Sequence, residues 1–142
     1  MFKEETAAYL EARGVRPSPQ RVAVMEYIAT HHTHPTVDTI YAALSPLMPT
    51  LSRTTVYNTL KLLVENKAAR LLTIDERNVC YDADLSPHAH FLCTQCGRVY
   101  DITLDNLHPE DGACVPTGFA VEQAELYLRG RCAACARKGD KK

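Results

Sequence analysis

Two Cys-x-x-Cys pairs constrain this chain more than any other feature. The first belongs to the stretch His88-Ala-His90-Phe-Leu-Cys93-Thr-Gln-Cys96-Gly-Arg-Val-Tyr-Asp101, which gathers two imidazoles, two thiols and a carboxylate in fourteen residues. The second, Cys132-Ala-Ala-Cys135, lies close to the last residue. Two such pairs can supply four thiolates in a tetrahedron, the usual structural zinc site. Their separation exceeds zinc-finger spacing, so a shared Zn(II) would staple distant segments. A redox dithiol and unrelated cysteines are the other readings, but two knuckles are more specific than one and favour zinc. The stretch itself predicts a β-hairpin with strands 88–92 and 98–102. Strand side chains alternate faces, so His88 and His90 point the same way. Cys93 to Gly97 form the turn, where glycine permits the tight backbone of a metal knuckle.

The rest of the composition mainly excludes. A length of 142 residues allows one domain or two small ones. No apolar run approaches the roughly twenty residues of a membrane span, and no signal-peptide pattern is present. A cytoplasmic protein without a membrane partner is expected, and six cysteines in that compartment favour metal over disulfides. The net charge is −1, and residues 1–82 balance nine Lys/Arg against nine Asp/Glu. Charge alone therefore does not point to nucleic acid; local placement must.

The first half reads as helices. Phe2, Thr6, Tyr9, Leu10 and Arg13 share one side of a first helix that Gly14 ends. Ser18-Pro19 is an N-cap followed by proline at the first helical position, and Val22, Met25, Ile28 and Ala29 form that helix's buried stripe. Thr36 caps a third helix with Val37, Ile40, Tyr41 and Leu44 inward; Pro46 and Pro49 break it. Ser52 caps a fourth, with Val56, Leu60 and Leu63 inward, running to about Asn66. The third and fourth fit a helix-turn-helix. The fourth begins Ser52-Arg-Thr-Thr-Val-Tyr-Asn58, side chains that can contact phosphates, base edges and thymine methyls in a major groove. A capped, solvated helix start reads the same way locally. Residues 69–74 and 79–83 flank the polar tip Asp75-Glu-Arg-Asn78 and predict a hairpin. Helices plus this hairpin make a winged helix. After the metal hairpin, Pro109 to Thr117 predicts a short helix weakened by Gly112 and Pro116. Phe119 to Arg129 alternates as one long strand. The second half is then a small three-stranded unit with a marginal core, needing zinc and a partner subunit to complete it.

The chain resembles the ferric uptake regulator (Fur) superfamily over nearly its whole length. The matching pieces are Val15-Arg-Pro-Ser-Pro-Gln-Arg21, His34-Pro-Thr36, Ile40-Tyr41, Thr55-Val-Tyr57, His88-x-His90, both Cys-x-x-Cys pairs and Leu126-Tyr-Leu128. Within the superfamily it is most similar to the peroxide-sensing branch, PerR. The resemblance implies an α+β protein with an N-terminal winged-helix DNA-binding domain (1–82), a hinge (83–87), a small α/β dimerisation and metal-binding domain (88–137) and a polar tail (138–142). It implies a homodimeric, metal-dependent repressor on palindromic, AT-rich double-stranded operator DNA, with a regulatory metal on His34, Asp82, His88, His90 and Asp101 and a structural zinc on Cys93, Cys96, Cys132 and Cys135. A mixed nitrogen and oxygen set without thiolates suits Fe(II) or Mn(II), and five protein ligands leave an octahedral ion one open position for peroxide. Oxidation of His34 or His88 to 2-oxo-histidine would then end repression.

Aspartate at 82 and 101 points to the peroxide branch, because iron-sensing relatives usually carry glutamate there. Asn58 after Tyr57 points the same way. The additional site of many iron sensors needs neighbours that are here Pro87 and Ala89, so no third site of that kind is expected. Thr54, Thr55, Tyr57 and Asn58 are the candidates for base contacts. Arg16, Arg21 and Ser52 are candidates for phosphate or minor-groove contacts, with Lys61 and Arg77 as additional phosphate contacts. Cys80 is expected to be a packed wing-strand residue, although zinc-sensing relatives use a cysteine near there; Cys114 has no assigned role. The rival readings are an iron- or zinc-responsive regulator, a thiol oxidoreductase using Cys93 and Cys96, and a hydrolytic metalloenzyme. No general base or substrate pocket supports the last, and no enzymatic activity is expected.

Overall fold

The computed structural model describes residues 3–75 and 77–139. Phe2, Glu76 at the wing tip and residues 140–142 of the tail lie outside the described residues. The chain divides into two compact units, residues 1–85 and 86–142.

The first unit carries four helices and a two-stranded sheet: α1 (Lys3–Ala12), α2 (Pro19–Thr30), α3 (Val37–Leu44), α4 (Arg53–Glu65), β1 (Arg70–Leu72) and β2 (Cys80–Asp82). Three helix starts are fixed by the residues that announce them. The hydroxyls of Ser18, Thr36 and Ser52 accept hydrogen bonds from the backbone N–H groups of Arg21, Thr39 and Thr55 at 3.1–3.2 Å. Each such cap is worth about 1 kcal/mol. Leu10, Met25, Ile28, Ile40, Val56, Leu60 and Leu63 are fully buried and form the core. The stripe expected on α2 is corrected in one respect: Val24 is fully buried, while Val22 and Ala29 are only partly so. α2 packs against α1, α3, α4 and β2, so it is covered on more than one side and a single-stripe pattern underestimates its burial. Tyr9 donates its phenol hydrogen to the Ala68 carbonyl at 2.8 Å, tying α1 to the turn after α4. β1 and β2 pair antiparallel, with Leu71 opposite Tyr81.

In the second unit β3 (His88–Cys93) is the central strand of a sheet ordered β4-β3-β5. β4 (Val99–Thr103) pairs with it antiparallel as the expected hairpin, and β5 (Tyr127–Gly130) pairs parallel. α5 (Ala133–Gly139) follows. Two expectations are corrected here. Pro109 to Thr117 forms turns rather than a helix; Gly112 has φ 89°, and Pro116 lacks a donor. The strand expected from Phe119 is only the four residues Tyr127–Gly130. β3 offers β5 a hydrogen-bonding edge only along His90–Cys93, and an alternating pattern without a neighbouring strand does not make a ladder. Phe119 and Val121 are accordingly 71% and 51% exposed.

Candidate metal centres and nucleic-acid interface

The four cysteines expected to act together do converge. Cys93 ends β3 and is fully buried. Gly97, at φ 77°, closes the turn by donating its N–H to the Cys93 carbonyl at 2.8 Å. Cys132 precedes α5 and Cys135 lies within it. The four sulfurs lie within 4.8 Å of one another, with Cys96 Sγ and Cys132 Sγ at 3.9 Å. A tetrahedral ion with zinc–sulfur bonds near 2.3 Å needs its sulfurs about 3.8 Å apart, so the donor set fits zinc. Backbone N–H groups of Cys96 and Cys132 donate to Cys93 Sγ at 3.5 and 3.4 Å. These bonds, the Cys96 one first, pull the Cys93 thiol down to about 5. The backbone N–H of Cys135 lowers Cys132. Hydrogen bonds with Cys132, then Cys93, push Cys135 up to about 12. Metal binding requires deprotonated thiols, and the N–H groups aimed at Cys93 Sγ favour its thiolate.

Each unit contributes its own nitrogen and oxygen donors. In the first, His34 and Asp82 are buried, with Nε2 3.8 Å from Oδ2. His34 has φ 56° directly before Pro35, a left-handed conformation that a bulky residue ahead of proline rarely adopts. Asp82 also accepts the Asp84 N–H through Oδ1 at 2.9 Å, so the turn-capping role of an isolated aspartate coexists with the pairing to His34. In the second unit, register places Asp101 opposite His90. Its Oδ1 is 3.4 Å from Nε2 of both His88 and His90. His88 Nδ1 lies 2.8 Å from the Ser86 carbonyl. A carbonyl can only accept, so Nδ1 carries a proton, which makes Nε2 the nitrogen that could ligate a metal.

The candidate DNA residues cluster as well. Arg16, Arg21, Thr55 and Asn58 line one cleft of about 460 Å³, together with Ser18 and Gln20. The Arg21 guanidinium donates to the Arg16 carbonyl at 3.0 Å, which holds the two arginines in register. Tyr57 is half exposed and lines a second groove with Lys61 and Arg77. Thr54 is exposed, and the Ser52 hydroxyl is committed to capping α4. Two lining residues were not among the sequence candidates. Gln20 is one, although it stands inside the Pro-Gln-Arg motif. Tyr81, in the floor of the second groove, is the other and gives no signal in the sequence beyond an ordinary strand aromatic. Arg53, in the helix start read above as able to contact phosphates, pairs its Nε with Asp38 Oδ1 at 3.1 Å and places its guanidinium over Tyr41.

Cys80 is 3% exposed. Burial first, then the carboxylates of Asp75 and Asp82, pushes its thiol up to about 12. Cys114 is exposed. Iodoacetamide on folded, zinc-loaded protein at neutral pH should therefore label Cys114 and leave Cys80 untouched, as read by peptide mass spectrometry; rapid alkylation of Cys80 would contradict the packed-thiol reading.

The sequence pattern of the ferric uptake regulator family matches residues 12–129. The peroxide-responsive repressor PerR of Staphylococcus epidermidis is 36% identical over 138 residues, covering 96% of this chain and 92% of that protein. The structure of PerR from Streptococcus pyogenes, described as a basis for peroxide sensing and gene regulation, is 26% identical with a TM-score of 0.52, covering 94% of this chain and 92% of that one. The ferric uptake regulator from Pseudomonas aeruginosa with manganese superposes with a TM-score of 0.74 at 20% identity, covering 94% and 99%, a likeness of fold. The first unit thus has the winged-helix fold and the second the small α/β fold of these regulators. With a family pattern spanning most of its residues and a curated relative matched almost end to end, the chain belongs to the ferric uptake regulator family.

Proposed function

We propose that this protein is a metal-dependent, peroxide-responsive repressor that binds palindromic operator DNA as a homodimer and acts by binding rather than by turnover. The observation that carries the reading is the separation of donor types: the four clustered thiols sit in one site, and among the described residues the His and Asp donors include no thiol. Soft thiolates retain Zn(II), whereas imidazole and carboxylate suit Fe(II) or Mn(II). The similarity to PerR proteins over 95% or more of the chain supports the peroxide response.

Cys93, Cys96, Cys132 and Cys135 would hold a structural zinc. His34, Asp82, His88, His90 and Asp101 would serve the regulatory ion, with His88 oriented for it by the Ser86 carbonyl. When bound, Fe(II) supplies one-electron chemistry toward peroxide that Mn(II) does not. His34 or His88 would record the event: one peroxide oxygen would enter the ring carbon between the two nitrogens, turning C–H into C=O with the loss of two electrons from the ring, and the other would leave as water. The altered ring no longer offers the same lone pair, and the repressor leaves DNA. The decisive experiment is operator binding with Fe(II) or Mn(II), before and after peroxide. Binding that needs no regulatory metal would reject the reading.

The DNA assignment has its own test. Tyr57→Ala and Asn58→Ala should each lose base discrimination by roughly 1–3 kcal/mol. Arg21→Ala should instead weaken binding to all sequences and lower the salt dependence. Fluorescence anisotropy at several salt concentrations separates the two patterns, and unchanged affinity in all three variants would overturn the assignment.

A further inference from the structure

The groove beside Tyr57 has a floor that the metal-ligand and base-contact assignments leave unexplained. Tyr57, Lys61 and Val64 face it from α4 at helical spacing, and Leu71 and Tyr81 face it from the cross-strand pair of the wing. Tyr81 is 4% exposed and belongs to the core, whereas Tyr57 is half exposed. One aromatic is therefore anchored, and the other reaches outward from the same groove.

Tyr81 is also wired to the His34–Asp82 pair through the backbone. It directly precedes Asp82 in β2. Its N–H donates to the Pro35 carbonyl at 3.0 Å, and Pro35 follows His34. The two ligand candidates thus sit one residue to either side of a single hydrogen bond. That bond depends on the direction of the Pro35 carbonyl, which the left-handed backbone of His34 at φ 56° helps to set. Such a conformation persists only where the surroundings hold it. Thr36, next in the chain, caps α3 and lines the same groove.

We propose that Tyr81 is a positioning residue: it carries the state of the His34–Asp82 pair to Tyr57 and so sets the base-reading side chain within the winged-helix unit itself. This rests on the repressor reading above. A ligand ion on His34 and Asp82 fixes the Pro35–Tyr81 bond, the Tyr81 ring holds the groove between wing and recognition helix, and Tyr57 keeps the rotamer that reads a base. Release of His34 relaxes its backbone and loosens that hold.

The test uses full-length, zinc-loaded protein with Mn(II). The probes are a palindromic AT-rich duplex selected by the wild type from a random library and a scrambled duplex of the same composition. Tyr81→Leu should lower the ratio of specific to non-specific affinity about tenfold, with non-specific affinity little changed, and Tyr81→Phe should restore the wild-type ratio. In a double-mutant cycle, Tyr57→Ala should add almost nothing to Tyr81→Leu, since coupled residues are non-additive. In the wild type, where stability of a variant is not at issue, Mn(II) should slow hydrogen exchange of the Tyr81 amide about tenfold, and His34→Ala should abolish that slowing. Additive losses, undiminished discrimination in Tyr81→Leu, or a Tyr81 amide indifferent to Mn(II) would each overturn the inference while leaving the repressor reading intact. A wild type that selects no duplex would overturn both.

Discussion

Cys96→Ser is expected to empty the protein of zinc and to unfold the second unit. Serine is close to cysteine in size but is a poor zinc ligand, so the change removes a donor without removing much packing. Zinc in thiolate-rich peptide sites contributes about 10–16 kcal/mol of apparent binding free energy at neutral pH. That is comparable with the roughly 5–15 kcal/mol that separates a whole domain from its unfolded state. The three-stranded sheet has little else to lean on: Ala89, Cys93 and His90 are fully buried, but Leu107, Val115, Phe119 and Val121 are exposed. Metal analysis should find one zinc per chain in the wild type and none in the variant. Circular dichroism and sedimentation should report lost structure and lost dimer. Cys114→Ser, at an exposed cysteine outside the tetrad, should keep its zinc. A zinc-free Cys96→Ser protein that stays folded and dimeric would remove the structural-zinc assignment.

Peroxide applied to the Fe(II)-loaded protein should abolish operator binding, and the same treatment of the Mn(II)-loaded protein should leave it. Partners that merely orient a metal ligand are worth about 10- to 100-fold in metal affinity; losing a ligand itself should cost more. Mass spectrometry should find a single added oxygen on a peptide carrying His34 or His88 in the iron form only. The competing route is oxidation of thiols. Cys80 is shielded by burial, and a zinc-bound tetrad has no free thiolate. Modification confined to cysteine, or an equal response of both metal forms, would reject histidine oxidation as the sensing event.

How much of this the sequence shows depends on how local the cause is. Caps at Ser18, Thr36 and Ser52 act within three residues and could be read directly. The hairpin was equally plain, because period and turn fix its register; Asp101 opposite His90 follows from both. Val24 was not legible, since its burial comes from three other helices closing around α2. The strand ending at Gly130 is shorter than its pattern for the same kind of reason: alternation from Phe119 is a property of the segment, while a ladder is a property of its neighbour. Pro109 to Thr117 showed its helix breakers openly, and they outweighed the pattern. The four-cysteine cluster was readable from paired motifs. The role suggested for Tyr81 was not, because it rests on a hydrogen bond to Pro35 across more than forty residues of chain.

The parallel pairing of β5 with β3 has a further consequence for the order of folding. The β3–β4 hairpin closes a short loop and can form early. Tyr127 must instead find His90 across a long irregular excursion, and the cost of closing a loop rises with its length. The cysteines proposed to hold zinc bracket the same closure, since Cys93 ends β3 and Cys132 lies two residues beyond β5. Cross-linking a loop of that size removes about 4 kcal/mol of chain entropy on the polymer estimate. A zinc ion on these cysteines would therefore make the β3–β5 contact nearly local. A chain emerging without zinc would hold its hairpin and keep searching for β5, with the edge of β3 open to other strands in the meantime.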